Sequence, residues 1–324
     1  MMADNINSLS DITKISEDIR SEVNKSIVGL TNHIDTLTLS LLTGGHVLLE
    51  GLPGTAKTFL AVSFSNTLSL ENKRIQSTPD MMPGDVTGTR IYNPKTLEFD
   101  FHAGPIFANM VIVDEINRAP PRTQAAFLEA MQEGQVTVDG ETSMLDQPFM
   151  VLATKNPLEY EGTFPLSPTQ LDRFMFRINL GYPTLDEEVE ILRNKTKSSD
   201  SSGQIISKDQ ILQARKFLID NMSIDDGISD YISSIVQSTR TKEGVIIGAS
   251  PTASVSLLNA SRGHAAIIRG SDKVTTEDVN AVAFDVLNHR LLIKQSDIAD
   301  SGTDAESSNS AEKIITDIIQ SGGN

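Results

Sequence analysis

The chain has 324 residues, of which 39% are hydrophobic and 22% charged, the balance of an ordinary soluble globular protein with room for about two domains. A formal net charge of −16 repels phosphate backbones and argues against non-specific nucleic-acid binding. The lack of any cysteine excludes disulfides and thiolate metal sites.

The opening MMADNINSLSDI has neither a basic nor an apolar leader region, so no secretory signal is expected. No apolar run approaches the ~20 residues a bilayer-spanning helix needs. The expectation is a cytoplasmic protein without membrane insertion and without a nucleic-acid partner. Ile12, Ile15, Ile19, Val23 and Ile27 recur at steps of three or four, one face of a helix with Ser10 or Asp11 as the expected N-cap. IVGL ends it, and a second apolar helix is expected over 31–43.

Between 46 and 180, HVLLE, RIQS, MVIVDE, FMVLAT and FMFRINL each read as a buried strand. Short apolar runs separated by helical stretches argue for a parallel sheet in an α/β domain. Two segments break the alternation. TRIYNPKTLEFDF reads as two short strands around Asn93-Pro94-Lys95, and QVTVDGETSML alternates around Asp139-Gly140, a tight-turn signal. Both are expected to be hairpins inserted into the framework.

From residue 184 the pattern turns helical: LDEEVEILRNK, KDQILQARKFLIDN, DDGISDYISSIVQSTR, PTASVSLLNASRGHAAIIRG and TTEDVNAVAFDVLNHRL, several with Asp, Ser or Thr near their starts. KSSDSSGQ at 197–204 and SDIADSGTDAESSNS at 296–310 read as polar linkers, the second of them mobile. A short amphipathic helix carrying Ile314, Ile315, Ile318 and Ile319 is expected to close the chain.

The first strand runs into GLPGTAKT. The general phosphate-loop pattern is G-x-x-x-x-G-K-[ST]. Gly51, Lys57 and Thr58 match it, and Ala56 stands where the second glycine would be. Such a loop needs backbone N–H groups turned inward at a helix N-terminus, a lysine at the β/γ-phosphates and a hydroxyl for Mg2+. Gly51 to Gly54 supply the turn, with Gly54 the candidate for positive φ. Ala56 is expected to begin the helix with φ below zero, its N–H still able to face a phosphate. The binding segment takes in Gly51, Pro53, Gly54, Thr55, Ala56, Lys57, Thr58 and Phe59.

Three further stations follow. MVIVDEINR ends an apolar strand in Asp114-Glu115; in a phosphate-loop ATPase the aspartate serves Mg2+ and the glutamate polarises the attacking water. Asn156, just after the strand FMVLAT, is placed to bond that water or a γ-phosphate. Arg173 precedes the next strand, within reach of a γ-phosphate across a subunit boundary. Singly, each has a plainer reading: an acidic strand cap, a turn residue before Pro157, and a salt bridge from Arg173 to Asp172 or Asp186.

These stations in this order resemble the AAA+ ATPases. GGHVLLEGLPGTAKT, TPDMMPGDVTGTRIYN, GPIFANMVIVDEINRAPPRTQAAFLEAMQEGQVTVDG, VLATKNPLEYEGTFPLSPTQLDRFMF, GASP and DVLNHRLLI look like the MoxR family, from residue 10 to 320. The resemblance implies a fold: an α/β P-loop AAA+ core with a parallel five-stranded sheet in order 5-1-4-3-2, two hairpin insertions, and an all-helical lid domain. The core is expected over 10–183, the lid over 184–296, and an acidic linker with a short C-terminal helix over 297–324. MoxR proteins are similar to the magnesium-chelatase ATPase subunit and share its displaced lid.

The resemblance further implies ATP and Mg2+ as ligands, a homo-oligomeric ring, typically a hexamer, with ATP between subunits, and a chaperone-like motor. Its clients are usually proteins with von Willebrand factor A domains. Carried over residue by residue, Lys57 binds phosphate, Thr58 and Asp114 serve Mg2+, Glu115 is the general base and Asn156 the first sensor. Arg173 is the finger acting in trans, and Val28 and Gly29 match the segment lining the adenine pocket.

One position departs from the family. After the proline of GASP stands Thr252, where the family has a second-sensor arginine. Threonine places no charge on a γ-phosphate, and Arg262, about three turns further along the expected helix, is too distant to replace it. Loss of such a donor slows turnover by orders of magnitude, so a slow ATPase is expected. Three readings compete with the remodelling motor. A metal-chelatase motor subunit finds no cluster for the inserted ion among five scattered histidines. A nucleotide-switch scaffold that scarcely hydrolyses is opposed by Glu115, Asn156 and Arg173. A ring helicase is opposed by the acidic tip Asp139-Gly140-Glu141 and the net charge, which Arg90 and Lys95 are too few to offset.

Overall fold

The computed structural model describes residues 6–158, 161–195, 203–294 and 304–322. The expected linkers lie outside the described residues over 197–202 and 296–303. Helix α1 (Leu9–Asn24) begins earlier than the apolar spacing suggests, because Ser8 caps it rather than Ser10 or Asp11. The Ser8 hydroxyl accepts from the Asp11 N–H, and the Asp11 carboxylate accepts from the Ser8 N–H at 2.9 Å. This reciprocal box satisfies two donors that the first turn leaves free. Helix α2 spans Thr31–Thr43 as expected and stops at Gly44, whose φ of 80° only glycine takes without strain.

The core then runs β1 (Val47–Gly51), α3 (Lys57–Asn66), β2 (Leu68–Ser69), β3 (Asn72–Gln76), α4 (Pro83–Thr87), β4 (Gly88–Asn93), β5 (Glu98–Ala103), β6 (Met110–Asp114), α5 (Pro121–Glu133), β7 (Gln135–Val138), β8 (Glu141–Met144), β9 (Met150–Lys155), α6 (Pro168–Leu171) and β10 (Phe176–Leu180). Five strands form one parallel sheet in the order β10-β1-β9-β6-β3. Numbered along the chain, that is 5-1-4-3-2. The pairs β4–β5 and β7–β8 are the two antiparallel hairpins, tied to each other by an ion pair between Arg90 and Glu141.

Period-two geometry divides each central strand between two cores. Val47 and Leu49, Met110 and Ile112, Met150 and Leu152 join a core built with α1, α2 and α3. Leu48, Val111, Val113, Val151 and Ala153 join the other, with Phe127 and Ala130 of α5. Burial on both faces, at about 1.5–3 kcal/mol per large aliphatic side chain, is why these strands read as unbroken apolar runs, whereas β3, read from RIQS as a buried strand, is an edge strand in which only Ile75 is buried. Asp114 and Thr154 are buried polar residues at the site edge of the sheet, and a third, Glu50, is 3% exposed. Its carboxylate meets Lys155 of β9 at 3.0 Å and Arg177 of β10 at 2.5 Å, the pairing a buried charge requires.

After the sheet come α7 (Leu185–Lys195), β11 (Ile206–Ser207), α8 (Lys208–Asn221), α9 (Asp226–Thr241), β12 (Val245–Ile247), α10 (Pro251–Ile267), α11 (Thr276–Leu287), β13 (Leu292–Ile293) and α12 (Asp304–Gln320). Their buried faces, including Ile211, Ile232, Leu257 and Val286, continue the α1–α3 core. Helix α10 lies close against α2 because Gly263 has no side chain; a Cβ there would sit 2.8 Å from Leu39 Cγ. Helix α12 is longer than expected and reaches back to Asp304. No proline or glycine interrupts 304–320, so a stretch whose polarity suggested linker continues the helix. Ile315 and Ile318 are buried as anticipated. Among the described residues no helix is long and apolar enough to cross a membrane.

Candidate nucleotide-binding site

Strands β1, β9 and β6 lie side by side and parallel, so the segments leaving their carboxyl ends gather on one edge of the sheet. Open α/β sheets bind ligands at such an edge. A cleft of about 410 Å³ lies there. It is lined by Pro53, Gly54, Ala56, Lys57, Thr58 and Phe59 from the loop after β1 and the start of α3, by Asp114 and Glu115 at the end of β6, and by Asn156 after β9.

The loop conformation corrects one expectation. Gly54 has positive φ, 84°, as anticipated, but so does Ala56, at φ 61° and ψ 21°. Ala56 does not begin the helix. It is the cap before Lys57, and its carbonyl accepts the first helical bond from Leu60 N at 2.8 Å. A left-handed residue here lets successive N–H groups curve around an anion. The general pattern has glycine at this position, where positive φ is free of strain. Alanine keeps the turn at a cost of about 1 kcal/mol.

Two loop residues work from outside the cleft. A Cβ on Gly51 would lie 2.5 Å from the Leu180 carbonyl oxygen, so glycine permits β10 to close against the loop. Thr55, 4% exposed, donates from Oγ1 to the Leu52 carbonyl at 2.8 Å and pins the turn. Lys57 Nζ donates to the Gly51 and Leu52 carbonyls at 2.6 and 2.7 Å, which holds the ammonium on the loop itself.

Thr58 Oγ1 donates to Asp114 Oδ1 at 2.6 Å. Asp114 is only 2% exposed, and its other oxygen accepts from Arg74 Nε at 2.6 Å. The hydroxyl and the carboxylate are hard oxygen donors in contact, the type of protein ligand that a phosphate-bound Mg2+ uses. Glu115 has φ 54°, which swings its side chain out of the strand direction and into the cleft lining. Its backbone N–H donates to Thr154 Oγ1 at 2.9 Å, and its carboxylate is met by Arg118 Nη1 at 3.1 Å and Gln76 Nε2 at 3.3 Å. Asn156 is 5% exposed and accepts from Leu158 N at 3.2 Å.

Arg74, Gln76 and Thr154 escaped the sequence reading, although Gln76 and Thr154 line the cleft. Their one signal is register: Gln76 pairs directly with Asp114 across β3 and β6. Val28, Gly29 and Arg173 do not line the cleft. Gly29 has φ 80° and packs on Glu187 of α7. Arg173 lies beside Asp172, whose carboxylate accepts from Ser250 Oγ at 2.8 Å. Thr252 is exposed two residues further on, at the start of α10. The carboxylate of Asp172 pairs with Arg290 at 3.3 Å rather than with Arg173. The buried His46 and His289 bond backbone groups, which fits packing roles. Among the described residues, no group of three or more His, Cys, Asp or Glu is placed to hold a metal on its own.

Comparisons with known proteins agree with this geometry. Residues 46–176 match the ATPase family associated with various cellular activities (AAA), and residues 237–314 match the AAA lid domain. The chain is 43% identical over 273 residues to the uncharacterized protein YeaC of Bacillus subtilis, covering 84% of this chain and 85% of that one. It is 41% identical over 288 residues to chaperone MoxR1 of Mycobacterium tuberculosis, covering 86% and 76%. A crystal structure of "a putative ATPase" from Cytophaga hutchinsonii superposes with a TM-score of 0.85 at 36% identity, over 96% of this chain and 95% of that one. The chain therefore belongs to the MoxR family of AAA+ ATPases, nucleotide-binding enzymes that hydrolyse ATP.

Proposed function

We propose that this protein is a ring-forming, chaperone-like motor that hydrolyses ATP slowly at clefts shared between neighbouring subunits and remodels a client protein, one with a von Willebrand factor A domain. The observation that carries the reading is the convergence of Lys57, Thr58, Asp114, Glu115 and Asn156 on one cleft, while Arg173 lies outside it. A chain with every part of the machinery except a γ-phosphate guanidinium needs that group from a second copy.

In this reading Lys57 leaves the loop carbonyls and pairs with the β/γ-phosphates, and the N–H groups from Gly54 to Thr58 cradle them. Val28 and Gly29 flank the adenine. Thr58 and Asp114 would hold Mg2+, which would supply positive charge against the phosphates. Arg74 must then release Asp114; its side chain is 56% exposed, so water can take over its solvation. Glu115 accepts a proton from the attacking water, and Asn156 orients that water or the γ-phosphate. Arg173 of the adjacent copy meets the charge that develops in the transition state. The exposed Thr252 brings no such charge, which is the ground for slow turnover. The name of the mycobacterial relative supports the chaperone class for this chain.

The test is sedimentation of Glu115→Gln in ATP and in ADP with Mg2+. The expected result is a closed ring of about six copies in ATP that retains client protein and releases it in ADP. A monomer in both nucleotides would refute the ring.

A further inference from the structure

The segment carrying Arg173 is held from the far end of the chain. Asn288, His289 and Arg290 follow α11, and all three side chains reach the backbone around the arginine. Arg290 Nη2 donates to the carbonyls of Asp172 at 3.3 Å and Phe174 at 2.8 Å, and to Ser256 Oγ of α10 at 3.1 Å. His289 Nε2 donates to the same Phe174 carbonyl at 2.9 Å, and Asn288 Nδ2 donates to the Arg177 carbonyl at 3.2 Å. The Asp172 carboxylate is gripped on both sides: Arg290 Nε lies 3.3 Å from one oxygen, and Ser250 Oγ donates to the other at 2.8 Å. Both peptide neighbours of Arg173 are thus fixed by residues from the last third of the chain, while Arg173 itself is half-buried and donates its backbone N–H to the Gln170 carbonyl.

We propose that Arg290, with His289 and Ser250, is a positioning bracket for Arg173, so that the helical region of each chain sets the aim of the arginine it offers to its neighbour's ATP. This rests on the reading of Arg173 as a finger acting in trans. Stability alone does not explain a guanidinium whose side chain is 1% exposed, since a whole buried ion pair can often be exchanged for apolar side chains without loss, although removing one partner alone is destabilising. It is well suited to precision: one terminal nitrogen, Nη2, reaches both carbonyls, and Nε lies within ion-pair distance of the carboxylate. A catalytic group misplaced by about 1 Å loses two orders of magnitude in rate. The bracket touches neither the phosphate loop nor Asp114 and Glu115, so it is a positioning device for the neighbour's site. The start of α10, where Ser250 bonds Asp172, joins the same device. A movement of α10 relative to β10 would therefore re-aim Arg173, coupling the helical region to a neighbour's hydrolysis.

Mixed assemblies of the full-length chain test this. Arg290→Met keeps the side-chain volume and removes the fork. Alone, at concentrations that assemble the ring, it is expected to turn over ATP at least about tenfold more slowly, with nucleotide affinity within about threefold of wild type. Mixed in equal amounts with Glu115→Gln, whose own site is dead but whose arginine is intact, it should regain turnover. Random mixing pairs an intact site with an intact finger at about a quarter of positions, which sets the expected recovery against wild type. Arg173→Ala mixed with Glu115→Gln is the control. If that control is rescued and Arg290→Met is not, the bracket is overturned and Arg290 serves only its own chain. If the control also fails, the finger in trans is wrong and the proposal falls with it. Should Arg290→Met fail to fold, Ser250→Ala removes a single hydrogen bond to Asp172 and carries the same test. It is expected to lose about threefold in turnover with affinity unchanged, and in the same mixture turnover per intact site should rise about twofold, from roughly a third to roughly two-thirds of wild type; unchanged turnover would overturn the bracket.

Discussion

Glu115→Gln is expected to hydrolyse ATP about 10²- to 10⁴-fold more slowly than the wild-type chain, while binding it with affinity within about threefold. Glutamine keeps the shape of the side chain and one oxygen able to accept from Gln76 and Arg118, so the local arrangement survives. What it cannot do is take a proton from water. The left-handed backbone at Glu115 aims this side chain into the cleft rather than along the strand, which is a conformation a glutamate adopts only where the surroundings hold it. Phosphate release under steady-state conditions, with affinity from a fluorescent nucleotide, measures the split. Turnover within tenfold of wild type would mean that another group takes the proton. A collapse in affinity would instead mean that Glu115 holds the cleft together.

Lys57→Ala is expected to weaken ATP binding by about 10- to 100-fold, since a hydrogen bond to a charged group is worth about 1.5–3 kcal/mol. The phosphates lose the loop's cation, which sets the sign, while the Gly51 and Leu52 carbonyls lose a partner that they give up on nucleotide binding in the wild type as well. Thr58 and Asp114 keep their 2.6 Å contact, so the divalent-ion ligands remain and the loss is confined to the phosphate contact. Calorimetric titration with ATP in Mg2+ reads the change. Equal affinity in the variant and the wild type would show that the nucleotide does not lie against this loop.

Much of this was legible in the chain. The strands buried on both faces announce themselves as apolar runs, and the two hairpins as alternation around turn residues, because burial and turn chemistry are local in sequence. The acid pair after β6 and the asparagine after β9 follow from parallel strands that deliver their carboxyl ends to one edge. Three things were not legible, each for a physical reason. The positive φ of Ala56 belongs to the loop, and alanine carries no turn signal of its own. Gln76 and Arg74 approach the acid pair only through the register of β3 against β6, which sequence does not state. The grip of Arg290 on the residues flanking Arg173 joins positions more than a hundred residues apart, so no local pattern marks it.

The central claim is that the ATPase site is completed by a second copy of the chain. The most direct test is the Mg2+-dependent ATPase rate per subunit, measured over protein concentrations that run from dispersed chains to assembled rings. The rate per subunit is expected to climb steeply as chains assemble and then level off, and Arg173→Ala is expected to stay at the dispersed value throughout. A rate per subunit that is constant across the whole range, in a chain shown by sedimentation to assemble within it, would contradict the account.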